Sequence, residues 1–66
     1  MKRWILKQHM EDNKDTMESL AEALGIVPNT LYKKMQGKVL EFTQSEIQAI
    51  AKRYNLSVDE VSNIFF

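Results

Sequence analysis

The chain has 66 residues, of which 44% are hydrophobic and 27% charged, and this composition predicts one folded domain, residues 1–66, rather than a disordered segment. Cysteine is absent, which excludes disulfides, thiolate metal sites and cysteine nucleophiles, and the formal net charge of +0 argues against a strongly basic nucleic-acid binder. No apolar run approaches the roughly 20 residues that cross a bilayer, and no apolar signal segment is visible, so we expect a cytoplasmic protein without a membrane partner.

The first predicted helix covers Met1–Met10. Its apolar members do not define one clear buried face; they are Trp4, Ile5, Leu6 and Met10. The polar segment Glu11–Asp15 lacks periodicity and is predicted to be a loop. His9 is the only histidine and has no acidic or nucleophilic partner at a recognisable spacing, so we expect a surface position rather than a catalytic or metal-binding role.

A second, shorter helix is predicted to begin at Thr16 and to end at Gly25. The Thr16 hydroxyl can accept a hydrogen bond from an amide of the first turn, and Gly25 suits the left-handed conformation that ends a helix. An apolar stripe at three- and four-residue spacing consists of Met17, Leu20, Ala21 and Leu24. Ile26 follows the turn and is placed to return into the core.

A third helix is predicted from Pro28, whose fixed φ suits a first helical turn, to Gly37, which acts as a second C-terminal cap. Leu31 and Met35 are four residues apart and form its inner face. The outward residues are hydrogen-bonding or basic: Asn29, Thr30, Lys33 and Gln36, with Tyr32 and Lys34 on the flanks. From Pro28 to Lys38 there are three lysines and no acid, so a neutral protein can present one basic face, which suits nucleic acid.

Two capping boxes predict the starts of a fourth and a fifth helix. In Thr43–Glu46 and again in Ser57–Glu60, the first and last side chains are placed to bond each other's backbone amides. The accompanying hydrophobic staples are Phe42 with Ile47 and Leu56 with Val61. The fourth helix continues through the apolar residues Ile47, Ile50, Ala51 and Tyr54, and Asn55 is an acceptable left-handed cap at its end.

The carboxy-terminal residues are unusually apolar. Part of this segment is expected to seal the core, and the fifth helix is expected to end near Ile64. Contiguous apolar residues that stay exposed usually mark an interface. The candidate self-association surface consists of Val58, Ile64, Phe65 and Phe66.

The segment from Thr16 to Gly37 resembles the helix-turn-helix domains of phage repressors, the Cro and CI class often called the XRE family. The shared frame is a Thr cap, a Leu-Ala pair, Leu-Gly-Ile at the turn, and an aliphatic residue in the second helix before a final Gly. Its members here are Thr16, Leu20-Ala21, Leu24-Gly25-Ile26, Leu31 and Gly37. The resemblance extends over roughly the whole chain and implies an all-α fold, namely a compact five-helix lambda-repressor-like DNA-binding domain with the helix-turn-helix at helices 2 and 3.

The resemblance also implies a function, that of a sequence-specific DNA-binding transcriptional regulator of phage or mobile-element type that represses by binding a double-stranded operator. The residues that match base-reading positions are Pro28, Asn29 and Lys33. The residues that match phosphate-binding positions are Thr16, Thr30, Gln36 and Lys38. Small repressors of this kind often dimerise through their last region, which would place the two reading helices about 34 Å apart, one turn of DNA.

Three departures from the family pattern leave an alternative open. Met17 stands where a Gln commonly contacts phosphate, Val27 occupies a cap position usually held by Ser or Thr, and Pro28 replaces a frequent polar base reader. The alternative is a protein-interaction module on the same fold, a phage accessory or antitoxin-like subunit that does not bind DNA. In either interpretation Lys2, Arg3 and Lys7 can form a solvated face, although they can also contact a DNA backbone.

The sequence shows no enzymatic constellation. It contains no Gly-rich phosphate loop, no paired-carboxylate site and no nucleophile–base arrangement. We therefore expect a protein that is not an enzyme, without a cofactor, metal or small-molecule ligand.

Overall fold

The computed structural model describes residues 1–66 and consists of five helices joined by short turns. Their bounds are α1 Arg3–Asp12, α2 Met17–Leu24, α3 Pro28–Gln36, α4 Gln44–Tyr54 and α5 Val58–Phe65. There is no strand, and the all-α architecture expected from the sequence is confirmed. None of the five helices combines the length and hydrophobicity that crossing a membrane requires.

The first helix extends further than predicted. The segment Glu11–Asp15 was expected to be a loop, but α1 continues through Asp12, where the Gln8 side chain donates a hydrogen bond of 3.1 Å to the Asp12 carboxylate. Such a pair at four-residue spacing supports the end of the helix beyond its last apolar residue, Met10. The chain then leaves the helix at Asn13 and at Lys14, whose φ is +53°. Only Leu6 and Met10 of α1 are buried, whereas Trp4 is 68% exposed.

The predicted caps of α2 are present. The Thr16 hydroxyl accepts a hydrogen bond of 3.1 Å from the Ser19 amide, and Gly25 ends the helix with a φ of +73°. The Ile26 amide then donates to the carbonyl of Ala21 at 2.9 Å, so the turn folds back onto the end of α2. Ala21 is fully buried, and α2 and α3 share the largest helix–helix contact in the domain.

Both capping boxes are present as predicted. The Thr43 and Ser57 hydroxyls each accept an amide hydrogen bond in the first turn, and the glutamates at the ends of the boxes accept from the two cap amides. Asn55 ends α4 in the left-handed conformation, with a φ of +55°. These local bonds set the directions of the two helices that close the back of the domain.

One apolar cluster joins all five helices. Its buried members are Leu6, Met10, Leu20, Ala21, Leu31, Met35, Ile50, Tyr54 and Ile64. The position of Ile64 corrects the expectation that it belongs to an exposed self-association surface, since only 1% of it is exposed. Its carbonyl accepts a hydrogen bond of 2.7 Å from the Lys2 amide, which fastens α5 to the start of α1.

Candidate functional site

The outer face of α3 is formed by residues at helical spacing. Asn29, Lys33 and Gln36 follow each other at intervals of four and three, opposite to the buried Leu31 and Met35. Asn29 and Lys33 are exposed, and Gln36 is half-buried. The face therefore presents amide groups and one ammonium group, which can donate hydrogen bonds to the acceptors of base edges or phosphates.

The remaining residues with predicted contacts lie around this face. Pro28 and Lys38 are exposed at the two ends of α3, and Thr30 is half-buried. Thr16 is exposed at the start of α2, but its hydroxyl is already engaged, because it also donates a hydrogen bond of 3.0 Å to the Ser19 hydroxyl. A further contact by this hydroxyl would therefore use its remaining acceptor capacity or replace the bond to Ser19.

Lys34 is not part of the basic surface of α3. Its ammonium group lies 2.7 Å from the Glu46 carboxylate and also donates to the Glu41 carbonyl at 3.3 Å. The Lys34 and Glu46 side chains are only 11% and 12% exposed. Burial raises the pKa of Glu46, but hydrogen bonds from Lys34 and from the Thr43 amide outweigh this effect, so the pKa lies below its ordinary value. The acid that neutralises Lys34 comes from α4, outside the acid-free segment seen in the sequence.

The other two lysines of this region are unpaired. The ion pairs of the domain are Lys34 with Glu46 and Arg53 with Asp15, and the His9 ring lies 4.0 Å from the Glu60 carboxylate. Lys33 and Lys38 belong to none of them, and both side chains are exposed. The positive charge available at α3 is therefore carried by these two residues.

The first turn of α3 has no side-chain cap. Val27 occupies the N-cap position with an extended backbone and is 61% exposed, and Pro28 is the first helical residue. The amides of Asn29 and Thr30 lie within the first turn, where a helix has no carbonyl to accept from them. These amides are thus available to an acceptor outside the protein, and the positive end of the helix dipole favours a negatively charged one.

A buried carboxylate holds the start of α2. The Asp15 side chain is 6% exposed and accepts hydrogen bonds from the Arg53 guanidinium at 2.7 and 3.0 Å and from the Tyr54 hydroxyl at 2.6 Å. The hydrogen bonds from Arg53, with a smaller contribution from Tyr54, outweigh the effect of burial and lower the pKa of Asp15 to about 2. Asp15 also accepts from the Thr16 amide at 3.2 Å, so this network positions the first turn of the helix-turn-helix.

The carboxy-terminal apolar surface is smaller than predicted. Val58 and Phe66 are 85% and 82% exposed. Phe65 is half-buried, and its ring packs edge to face on Phe42 with 5.5 Å between the centroids. Because Ile64 lies in the core, the exposed part consists of Val58, Phe66 and the rim of Phe65. A groove beside it has six apolar lining residues, Ile47, Ala51, Leu56, Val58, Val61 and Phe66, and three polar ones, Gln44, Gln48 and Ser62.

The chain was compared with models of known protein families. The model of the Cro/C1-type HTH DNA-binding domain matches residues 6–64. The matched range includes α2, α3 and α4 in full, and it leaves out the first three residues of α1 and the last residue of α5. No curated protein and no solved structure matches the chain.

Proposed function

We propose that this chain, which belongs to the Cro/C1-type helix-turn-helix DNA-binding domain family, is a sequence-specific transcriptional regulator that represses by inserting α3 into the major groove of its operator. The observation that supports this proposal is the outer face of α3, where Asn29 and Lys33 are exposed, unpaired and free of neighbouring acids on their own helix. A phage or mobile-element origin is part of the proposal, since the sequence frame resembles that class of repressor.

The proposed base contacts come from the start and middle of α3. Asn29 can pair through both atoms of its amide with adenine, and Lys33 can donate to the O6 and N7 acceptors of guanine. Pro28 has no side-chain donor and is assigned an apolar contact with a base, such as a thymine methyl. Each good bidentate pair between a side chain and a base discriminates against a wrong base by about 1–3 kcal/mol.

The proposed phosphate contacts surround the base contacts. They are assigned to Thr16, Thr30, Gln36 and Lys38. Contacts of this kind position the protein on the duplex without selecting a sequence. The unpaired first-turn amides of α3 support the same arrangement, because a helix N-terminus favours an anion.

A homodimer on DNA is the proposed assembly. Val58 and Phe66, with the rim of Phe65, form the exposed apolar surface that a second copy would cover. In a twofold dimer the two α3 helices would enter successive major grooves about 34 Å apart.

An amide-shift titration with a random-sequence duplex tests DNA binding first. We expect shifts at Thr16, Met17 and Asn29–Lys38 at about 50 mM salt that decrease at about 200 mM, because phosphate contacts release counterions. Absence of shifts at both concentrations, with the fold intact, would contradict the proposal. If the protein binds, its operator sequence can then be selected from a pool of random DNA duplexes.

Variants test the residue roles on the selected operator. Asn29→Ala and Lys33→Ala should weaken operator binding about tenfold to a hundredfold and random-duplex binding much less. Lys38→Ala should weaken both alike and lower the salt slope by about 1. Lys52→Ala is the matched control, since Lys52 is an exposed lysine on α4 that makes no ion pair. Equal losses on both duplexes for Asn29→Ala would refute its role in base recognition.

A second candidate function is supported by the same apolar surface. The exposure of Val58 and Phe66, the neutralisation of Lys34 and the net charge of +0 fit a protein-interaction module that does not bind DNA. The titration distinguishes the two functions, because this candidate requires no duplex-dependent shifts.

A further inference from the structure

Beside the outer face of α3 lies a groove that contains two basic side chains from a different helix. The groove has a volume of about 320 Å³ and is formed where α1, the start of α2 and the end of α3 meet. Its lining residues are Arg3, Lys7, Met17, Tyr32, Met35 and Gln36. No acidic residue is among them.

The cations of this groove are free. Arg3 and Lys7 are exposed and take part in no ion pair of the domain. By contrast, the neighbouring Lys2 is held by the Asn63 side chain at 3.0 Å. An unpaired guanidinium and an unpaired ammonium in one acid-free groove favour an anionic ligand.

The groove is continuous with the outer face of α3. Gln36 belongs to both, because it lies three residues after Lys33 on the outer face and also lines the groove. Tyr32 is 56% exposed and adds a phenolic hydroxyl to the rim. A polyanion seated along α3 would therefore extend over the groove and meet Arg3 and Lys7.

The side chain at position 17 leaves anion binding in the groove to other residues. Met17 lines the groove at the start of α2 and has no group that can bind an anion strongly. The Thr16 hydroxyl at the start of α2 is already engaged with Ser19. The charged residues that line the groove, Arg3 and Lys7, both come from α1.

We propose that Arg3 and Lys7 bind a phosphate of the DNA backbone in the groove between α1, α2 and α3, so that α1 supplies a contact to the duplex in addition to those of the helix-turn-helix. This inference rests on the proposed DNA-binding function. The ligand is a phosphodiester of the same duplex that α3 contacts.

The salt dependence of binding tests the proposal with the full chain. Neutralising one phosphate contributes about 0.9 to the slope of log affinity against log salt. Between about 50 and 200 mM salt, the affinity of the wild-type protein for the duplex should therefore fall about 3.5-fold more than that of Arg3→Ala/Lys7→Ala. The matched control is Lys14→Ala/Lys52→Ala, which removes two exposed unpaired lysines outside the groove and should keep the wild-type slope.

A duplex with single neutral methylphosphonate linkages locates the contact. Neutralising the phosphate that faces α1 should weaken the wild-type protein and have no effect on Arg3→Ala/Lys7→Ala. Arg3→Lys keeps the positive charge, so this variant should retain most of the wild-type salt slope and most of the sensitivity to that linkage. A structural role of Arg3 would not produce this dependence on one phosphate.

The outcomes separate the two proposals. If the wild-type protein binds and Arg3→Ala/Lys7→Ala has the same slope as the wild type, the α1 contact is refuted while DNA binding stands. If the slope falls equally in the Lys14→Ala/Lys52→Ala control, the effect is one of overall charge and the α1 contact is again refuted. If the wild-type protein does not bind either duplex, both the proposed function and this inference are wrong.

Discussion

The neighbouring helices α3 and α4 are similar in length, with 9 and 11 residues, but are held in different ways. Helix α4 has a complete capping box at its start, and Arg53 and Tyr54 near its end bind the carboxylate of Asp15. Helix α3 has no side-chain cap at its start, and the side chains that it buries in the core are Leu31 and Met35. The helix that supports the domain is thus fixed by polar bonds at both ends, whereas the helix proposed to meet DNA has a polar side-chain anchor only near its end, where Lys34 binds Glu46.

This difference has a functional consequence. A capped helix start has its amide donors occupied, and a side chain held by an internal ion pair is not available to a ligand. The amides at the start of α3 and the side chains of Asn29 and Lys33 remain free, although Lys34 on the same helix is used internally. We infer that α3 is held by core packing and by the Lys34–Glu46 pair, and that the polar groups at its start and on its outer face are kept for a partner.

The largest effect is expected from removing the core contact of α3. Leu31 is fully buried, so Leu31→Ala should lower the free energy of unfolding by about 3 kcal/mol, because it removes apolar contacts and leaves a cavity. Urea denaturation measures the change. Tyr32→Ala, at the exposed neighbouring position, should change the free energy by about 0.5 kcal/mol or less. Equal losses in the two variants would mean that core packing does not hold α3.

The second effect concerns the polar anchor of α4. Because the pKa of Asp15 is lowered from 3.8 to about 2 in the folded protein, its stabilisation is complete above pH 3.8 and is lost as the pH falls towards 2. Asp15→Asn should therefore destabilise the protein by about 2 kcal/mol at neutral pH and progressively less at acidic pH. Urea denaturation of the wild type and of Asp15→Asn at neutral pH and at acidic pH checks this prediction. Glu22→Gln, at an exposed position without an ion pair, should reproduce the wild-type pH dependence.

A capping box should contribute less to the free energy of unfolding than the Asp15 carboxylate does. Thr43→Ala removes the hydroxyl that accepts from the Glu46 amide at 3.2 Å and should cost about 1 kcal/mol. Thermal unfolding followed by circular dichroism measures this loss. Gln48→Ala, at an exposed position within α4, serves as the control and should be nearly neutral. A similar loss of stability in both variants would show that the missing cap is not the cause of the loss in Thr43→Ala.

The smallest effect should be a gain at the uncapped start of α3. Val27 already has the extended backbone of an N-cap residue, with φ −83° and ψ 154°. Val27→Thr should therefore stabilise the protein by about 0.5–1 kcal/mol through a new hydrogen bond to a first-turn amide. Val27→Ala lacks this acceptor and should give no gain. Thermal unfolding of the two variants decides whether the missing cap limits the stability of α3.

Much of the fold follows from short-range features of the sequence. The starts of α2, α4 and α5 were predicted from Thr16, Thr43 and Ser57, because each of these side chains bonds an amide only three residues away. The left-handed residues Gly25 and Gly37 marked two helix ends for a similarly local reason. The end of α1 was missed, since the bond between Gln8 and Asp12 follows no apolar pattern.

The candidate site was only partly predictable. The outer face of α3 follows from helical periodicity, so the exposure of Asn29 and Lys33 was expected. The pairing of Lys34 with Glu46 was not, because it depends on how α4 crosses the end of α3. The groove that joins Arg3 and Lys7 to Tyr32 was missed for the same reason, since its residues come from three helices.

The sequence by itself therefore determined the number of helices, most of their ends and the family resemblance, because caps, turns and apolar periodicity act over a few residues. Only the tertiary structure decided which charges remain free and which apolar residues remain exposed. Asp15 and Arg53 are 38 residues apart along the chain and meet only because the helices pack on one core. Ile64 is buried in the same core, and no local pattern distinguishes it from the exposed Phe66.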